Sequence, residues 1–236
     1  MRFPPLPTLM FGLVYFDFLA IATALTLGFA LHENPTAYTG EGDFITWLSF
    51  VHLVVAGILA GCICRRRTAG KAQGCFWFRP GFCWALVSFG FFFLAVDEVA
   101  KIHESLDHLV HRAFEIDETG ISDRLDDLVV LIYGLCGIAV LSVYKKEFLR
   151  FRAALPLLVA GGSLFLFMLV LDAVGNRNDV IVAMGVGHRE GEVLRSWIGG
   201  IEEGLKLFAE AALLCSVYAC LLQTADSRKS PVGVEV

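Results

Sequence analysis

Six long runs of apolar residues, separated by short polar segments, dominate the hydrophobic pattern of this chain. A bilayer core of about 30 Å needs about 20 apolar residues in one helix. The runs extend from about Met10 to Leu31, Phe44 to Cys64, Phe82 to Val96, Leu128 to Tyr144, Ala154 to Val174 and Trp197 to Leu222. They are too long for strands and lack the alternation of a membrane barrel. The pattern predicts an all-α, polytopic membrane bundle of six transmembrane helices over residues 1–223, with a disordered cytoplasmic tail over 224–236.

The basic residues between these runs predict the orientation of the bundle. Twelve of the 19 lysines and arginines fall before the first run, after the second, after the fourth and in the tail. Six fall in the opposite loops, and Lys206 lies inside the last run. Because cytoplasmic loops carry the excess of Lys and Arg, we expect both termini in the cytoplasm. We expect the protein in the inner (plasma) membrane of a bacterium.

Composition agrees with a membrane protein and narrows the choice of partners. The chain is 56% hydrophobic, above the usual 45–50% of soluble domains, and its net charge is −5. Nucleic-acid binding usually needs a basic patch or stripe, so no nucleic-acid partner is expected. The expected partners are the lipid bilayer and either another membrane protein or a second copy of this chain.

Ionisable side chains gather at the predicted outer ends of the third to sixth helices. Charges next to hydrocarbon are costly unless paired, and they often mark functional sites. If the third helix continues past its apolar part, a stripe about 80° wide contains Asp97, Lys101, Glu104, His108 and His111. Glu98 and His103 then point elsewhere. Asp172 near the end of the fifth helix and Glu203 in the sixth lie at a similar depth.

These residues predict a buried carboxylate and histidine site between the third, fifth and sixth helices that is open to the outer face. Carboxylates with imidazole are ligands for divalent metals. The candidate metal ligands are Asp97, Glu104, His108, Asp172 and Glu203. Local ion pairing that only fixes helix register is the competing interpretation.

A second group of residues suits ion pairing or proton relay. Glu210 lies about 10 Å deeper than Glu203 along the sixth helix, with Lys206 one turn away. Lys101 has the corresponding role beside Asp97. Asp17 in the first run is equally compatible with a functional role and with a hydrogen bond to a neighbouring helix. His52 in the second run is expected to pack by a hydrogen bond more often than to face the site.

Three functions are compatible with this pattern. The first is a membrane protein with a divalent-metal cofactor, acting as an enzyme on a lipid or other apolar substrate. The second is a proton- or cation-coupled transporter with a path from the outer cluster through Glu210 toward Asp17. The third is a non-catalytic membrane subunit or scaffold whose acids pair locally. No nucleotide-binding or hydrolase motif selects among them.

Overall fold

The computed structural model describes residues 4–40, 42–68, 76–114, 125–175 and 188–226. Within these ranges it is all-helical, with no strand. The α-helices are α1 (Leu6–His32), α2 (Phe44–Thr68), α3 (Pro80–Ala100), α4 (Ile102–Phe114), α5 (Leu125–Val143), α6 (Lys145–Phe148), α7 (Leu155–Gly175) and α8 (His188–Asp226). Two 3-10 turns, Pro35–Tyr38 and Phe76–Phe78, precede α2 and α3.

Four helices are long and apolar enough to cross a membrane: α1, α2, α3 and the Val193–Ala225 part of α8. Two shorter apolar stretches, Leu128–Val143 and Leu155–Leu171, belong to α5 and α7. The outward side of α1 is strongly apolar, with Phe11 69% and Tyr15 64% exposed. Large apolar side chains in contact with the surroundings are favourable in lipid and not in water. The protein is therefore an all-helical, membrane-integral protein.

The long helix α8 is the centre of the bundle. Two-thirds of its apolar segment is buried, against about a tenth for α1. It packs against α7, α2 and α1, while α2 also packs along α3. The helix continues to Asp226, three residues past the predicted end of the bundle at residue 223, and Thr224 is buried there. The rest of the predicted tail, 227–236, lies outside the described residues.

The basic segments of the sequence meet at one end of the bundle, here called the basic end. Arg67 at the end of α2 makes two hydrogen bonds of 2.7 and 2.6 Å to the carboxylate of Glu147 on α6. The indole of Trp84 near the start of α3 donates to the same carboxylate at 3.2 Å. At this end Tyr218 of α8 donates to the carbonyl of Pro4 at 2.6 Å. The start of α1 and the last part of α8 therefore lie at the same end.

Gly161 allows α7 to pack closely against α8. A Cβ added at Gly161 of α7 would lie 2.8 Å from Cγ of Leu213 and 3.0 Å from the carbonyl oxygen of Ala209, both on α8. Small residues at helix contacts let backbones come together in membranes. The contact fixes α7 against the central helix.

Candidate functional site

The predicted stripe on one continuous third helix is wrong, because the chain turns at Lys101. Helix α3 ends at Ala100, and Lys101 has a left-handed backbone with φ 51°. Helix α4 then starts in a new direction at Ile102. Asp97 and the residues after Lys101 therefore do not share one helical face.

Asp97 stabilises this turn. Its Oδ1 accepts the backbone N–H of His103 at 3.0 Å, and its Oδ2 lies 2.9 Å from Nδ1 of the His103 ring. The first N–H groups of a helix have no partner inside that helix, so the Asp97 carboxylate satisfies one of them for α4. His103, which the stripe directed elsewhere, is the partner of Asp97.

The remaining residues predicted on α4 stay near its surface. Lys101 lies 3.7 Å from Glu104, and both side chains are about a third exposed. His108 is exposed. His111 is buried and its Nδ1 lies 2.8 Å from Oδ1 of Asp107.

Lys206 of α8 joins two helices. Its ammonium lies 2.8 Å from Oε1 of Glu98 on α3 and 2.7 Å from Oε2 of Glu203 one turn earlier on α8. Each of these three side chains is less than a fifth exposed. The sequence predicted an ion-pairing or proton-relay role for Lys206, and the helical projection placed Glu98 off the stripe of Asp97. In the structure Glu98 is the partner of Lys206 on α3.

One turn further along α8, Glu210 begins a more deeply buried polar group. Ser49 of α2 donates a 2.7 Å hydrogen bond to Oε1 of Glu210. Oε2 of the same carboxyl lies 3.9 Å from Nδ1 of His52. Ser49 is fully buried, His52 is 3% exposed and Glu210 is 9% exposed.

Asp17 of α1 completes this group from the other side of the histidine ring. Its Oδ1 lies 3.5 Å from Nε2 of His52. The residue is fully buried, and neither of its carboxyl oxygens has a hydrogen-bond partner among the described residues. Each ring nitrogen of His52 therefore faces a carboxyl group from a different helix. We call Asp17, Ser49, His52 and Glu210 the polar layer.

Apolar packing lies on both sides of the polar layer. Toward the basic end, a cluster that includes Ile63, Trp84 and Leu221 fills the space between α2, α3 and α8. Toward the opposite end, Ile21, Ile45 and Leu207 form a second cluster. The polar layer is thus enclosed between two packed apolar clusters.

The polar layer is built from α1, α2 and α8, and Lys206 connects the neighbouring part of α8 to α3. The predicted site instead lay between the third, fifth and sixth spans. Asp17 and His52 were recognisable from sequence as ionisable residues inside apolar runs, the kind that often has a role. Ser49 gave no such signal, because serine is common in membrane helices.

The predicted metal ligands are distributed over several local contacts. Among the described side chains, no group of three or more His, Cys, Asp or Glu residues is arranged to hold a metal ion. Asp97, Glu104 and Glu203 have the partners given above, and the side chain of Asp172 lies outside those described. The metal site remains a prediction.

Comparison with curated proteins gives no match, and neither does comparison with solved structures. One family profile, described as a domain of unknown function (DUF8692), matches residues 8–221. The match spans nearly all the described helices and includes the polar layer, Glu98 and Lys206. The chain therefore belongs to the DUF8692 family.

Proposed function

We propose that this protein is a proton-coupled membrane carrier whose polar layer holds and passes the proton. The observation that carries the proposal is the position of His52 between two carboxyl groups, with Nε2 facing Asp17 at 3.5 Å and Nδ1 facing Glu210 at 3.9 Å. Imidazole takes up a proton at one nitrogen and releases one from the other, which suits it to relay. Direct proton transfer needs a distance of about 2.6–3.2 Å between the heavy atoms. Both distances are longer than this by less than about 1 Å, so small side-chain rotations would bring the atoms within reach.

The cost of burying charge favours a bound proton in this layer. An ionised carboxylate in hydrocarbon is expensive unless it is paired. Asp17 is fully buried, and among the described residues its carboxyl group faces the ring of His52. One proton shared by the histidine and either acid reduces the charge of the group, and this gives the layer an affinity for protons.

A proton fits the layer better than a metal ion does. The described side chains contain no group of three His, Cys, Asp or Glu residues suited to a metal. Hard cations prefer about six or more oxygen ligands, whereas the polar layer has an imidazole at its centre. Asp, Glu and His side chains inside membrane proteins often form proton relays.

The apolar clusters favour a carrier over an open pore. Both sides of the polar layer are closed by packed side chains such as Trp84 toward the basic end and Leu207 toward the other end. A permanent pore needs a continuous wet path, but a carrier opens its site to one side at a time. The occluded arrangement corresponds to the closed state of such a cycle.

The ion-paired residues toward the end opposite the basic end give the proton a route to the layer. Lys206 interacts electrostatically with Glu210 as well as with Glu98 and Glu203. Carboxyl groups thus follow one another along α8 from Glu203 to Glu210. We propose that protons reach His52 from that side when the cluster of Ile21, Ile45 and Leu207 opens.

A six-pass topology with both termini in the cytoplasm belongs to this proposal. The contact between Tyr218 and Pro4 supports it, because an even number of crossings returns the chain to the side where it began. Arg67 and Arg150 lie beside Glu147 at that same end. The excess of basic residues there is typical of the cytoplasmic side, and a bacterial inner membrane fits that arrangement.

Proton uptake into liposomes tests the proposal. Purified protein is reconstituted with a pH-sensitive dye inside the vesicles, and a potassium diffusion potential of negative interior is imposed. Wild-type protein acidifies the interior, whereas His52→Gln does not. His32→Gln is the matched control, because His32 is exposed and contacts Tyr38 outside the polar layer. Equal rates for wild type, His52→Gln and empty vesicles would overturn the proposal.

A further inference from the structure

Helix α4 divides into three faces with different environments. Successive helical residues are rotated by about 100°, so residues three or four apart share a face. Leu106, Leu109 and Ala113 form an exposed apolar face. Ser105, His108 and Arg112 form an exposed polar face. The third face contains His103, Asp107 and His111 and is largely covered.

The covered face, with His103, Asp107 and His111, is also polar, and its contacts fix how the helix is oriented. His103 is held by Asp97 of α3, and His111 is 7% exposed. Helix α4 packs mainly against α5 and α3. A soluble helix would turn its apolar face toward the protein, but here Leu109 is 60% exposed and Leu106 is 39% exposed.

The ends of the helices that adjoin α4 also expose apolar side chains. Val96 and Val99 at the end of α3 are 53% and 40% exposed, and Leu128 and Leu131 at the start of α5 are 48% and 41% exposed. Helix α3 has 21 residues. At a rise of about 1.5 Å per residue, its length is about equal to the thickness of the hydrocarbon core. Helix α4 therefore begins at the boundary between hydrocarbon and headgroups.

We infer that α4 is an interfacial helix that binds the phospholipid surface at the end opposite the basic end, with Leu106, Leu109 and Ala113 against the acyl chains. Ser105, His108 and Arg112 then face the headgroups and water. This is the arrangement of amphipathic helices that lie in the plane of a membrane. Unlike an isolated interfacial helix, α4 has a third face that is held to the bundle through Asp97 and His103.

The consequence is a connection between the lipid surface and Glu98. Asp97, which holds α4, is adjacent in sequence to Glu98, which pairs with Lys206. The contact that holds α4 and the pair with Lys206 therefore share the last turn of α3. The inference does not depend on proton transport.

Fluorescence quenching at two positions of α4 tests the inference in the full chain. Cysteines Cys62, Cys64, Cys75 and Cys136 are replaced by alanine, while the buried Cys83, Cys215 and Cys220 are kept. Leu109→Cys and Arg112→Cys are then labelled with bimane and reconstituted in phosphatidylcholine vesicles. Acyl-chain spin-labelled phosphatidylcholine is the lipid quencher, and iodide is the aqueous quencher.

The label at Leu109→Cys is expected to be quenched several-fold more by the spin-labelled lipid than the label at Arg112→Cys, with the reverse order for iodide. Leu106→Cys is a second apolar position if Leu109→Cys does not fold. Equal iodide quenching at positions 109 and 112 would show that α4 lies in water and would overturn the inference. Protection of position 109 from both quenchers would also overturn it, because a protein partner or a second copy would then cover this face.

Discussion

Lys206 and Glu98 join the central helix of the bundle to α3, with 2.8 Å between Nζ and Oε1. Glu203 is on the same ammonium at 2.7 Å, so one cation serves two carboxylates. This contact connects residues 108 positions apart. It links the polar layer on α8 to the end of α3 where the chain turns into α4.

Replacing Lys206 by methionine is predicted to destabilise the protein by about 2–3 kcal/mol. The carboxylates of Glu98 and Glu203 would then be buried without their cation, which is unfavourable. The effect is expected to be smaller than for a fully buried pair, because the side chains are 17–19% exposed. Thermal unfolding in detergent at neutral pH measures the effect. Lys101→Met is the control, because its contact with Glu104 is longer, at 3.7 Å, and more exposed. A surface pair of that kind contributes about 1 kcal/mol or less.

The helices and the contacts of Lys206 show how much of the structure could be predicted from the sequence. Each predicted apolar run is helical in the structure, since run length and hydropathy are local properties. Four of these helices, rather than six, are long and apolar enough to cross a membrane among the described residues. Ion pairing of Lys206 was also predicted, because Glu203 is one turn away. Its second partner, Glu98, was not, because the angle of α3 against α8 depends on tertiary packing.

The turn at Lys101 explains the main error about the site. A helical projection of residues 97–111 assumes one straight axis, and the sequence there contains no Gly or Pro to end the helix. The left-handed backbone at Lys101 is stabilised by side-chain contacts of Asp97 with His103. The contact between Asp97 and His103 depends on the folded geometry and is not visible in the sequence. Asp17, His52 and Glu210 were each singled out in the sequence, but their meeting in one layer with Ser49 was not predicted, since they come from three distant segments.

Glu210→Gln is predicted to lower the potential-driven proton flux about 100-fold, in the range that a positioned proton-transfer group contributes. Glutamine keeps the volume and an acceptor for the 2.7 Å hydrogen bond of Ser49, but it cannot pass a proton to His52. Flux in liposomes is compared with Glu33→Gln, a variant at an exposed residue. Wild-type flux in Glu210→Gln would exclude Glu210 from the relay.

Glu147→Gln is predicted to destabilise the basic end by about 3 kcal/mol, the cost of breaking a buried charged pair. Glu147 is 6% exposed and accepts hydrogen bonds from Arg67 and Trp84. Thermal unfolding again gives the change. Arg150→Gln is the matched control, because Arg150 is 63% exposed and lies 3.9 Å from the carboxylate. Equal effects of the two variants would contradict the assignment of Glu147 as the central acid of this end.

Neighbouring glycines on α7 provide a test of the helix packing. Gly161→Ala is predicted to destabilise the bundle by about 1–3 kcal/mol through overpacking, because the new methyl group meets Leu213 and the backbone of Ala209. Gly162→Ala is predicted to be neutral or to stabilise by up to about 1 kcal/mol, since nothing lies within 4 Å of its added Cβ. Unfolding temperatures of the two variants decide the point. If Gly162→Ala is the more damaging, α7 is rotated relative to the arrangement described.

Infrared difference spectroscopy of the protein in bilayers, recorded between two pH values in H₂O and D₂O, tests directly whether the polar layer holds a proton. A proton held in the polar layer is expected to give a carboxylic acid C=O band that shifts in D₂O and is altered in Asp17→Asn or Glu210→Gln. This band is expected to change together with imidazole bands that vanish in His52→Gln. The same spectra from wild type and all three variants would show that no titrating proton resides between Asp17, His52 and Glu210, and would contradict the proposed proton site.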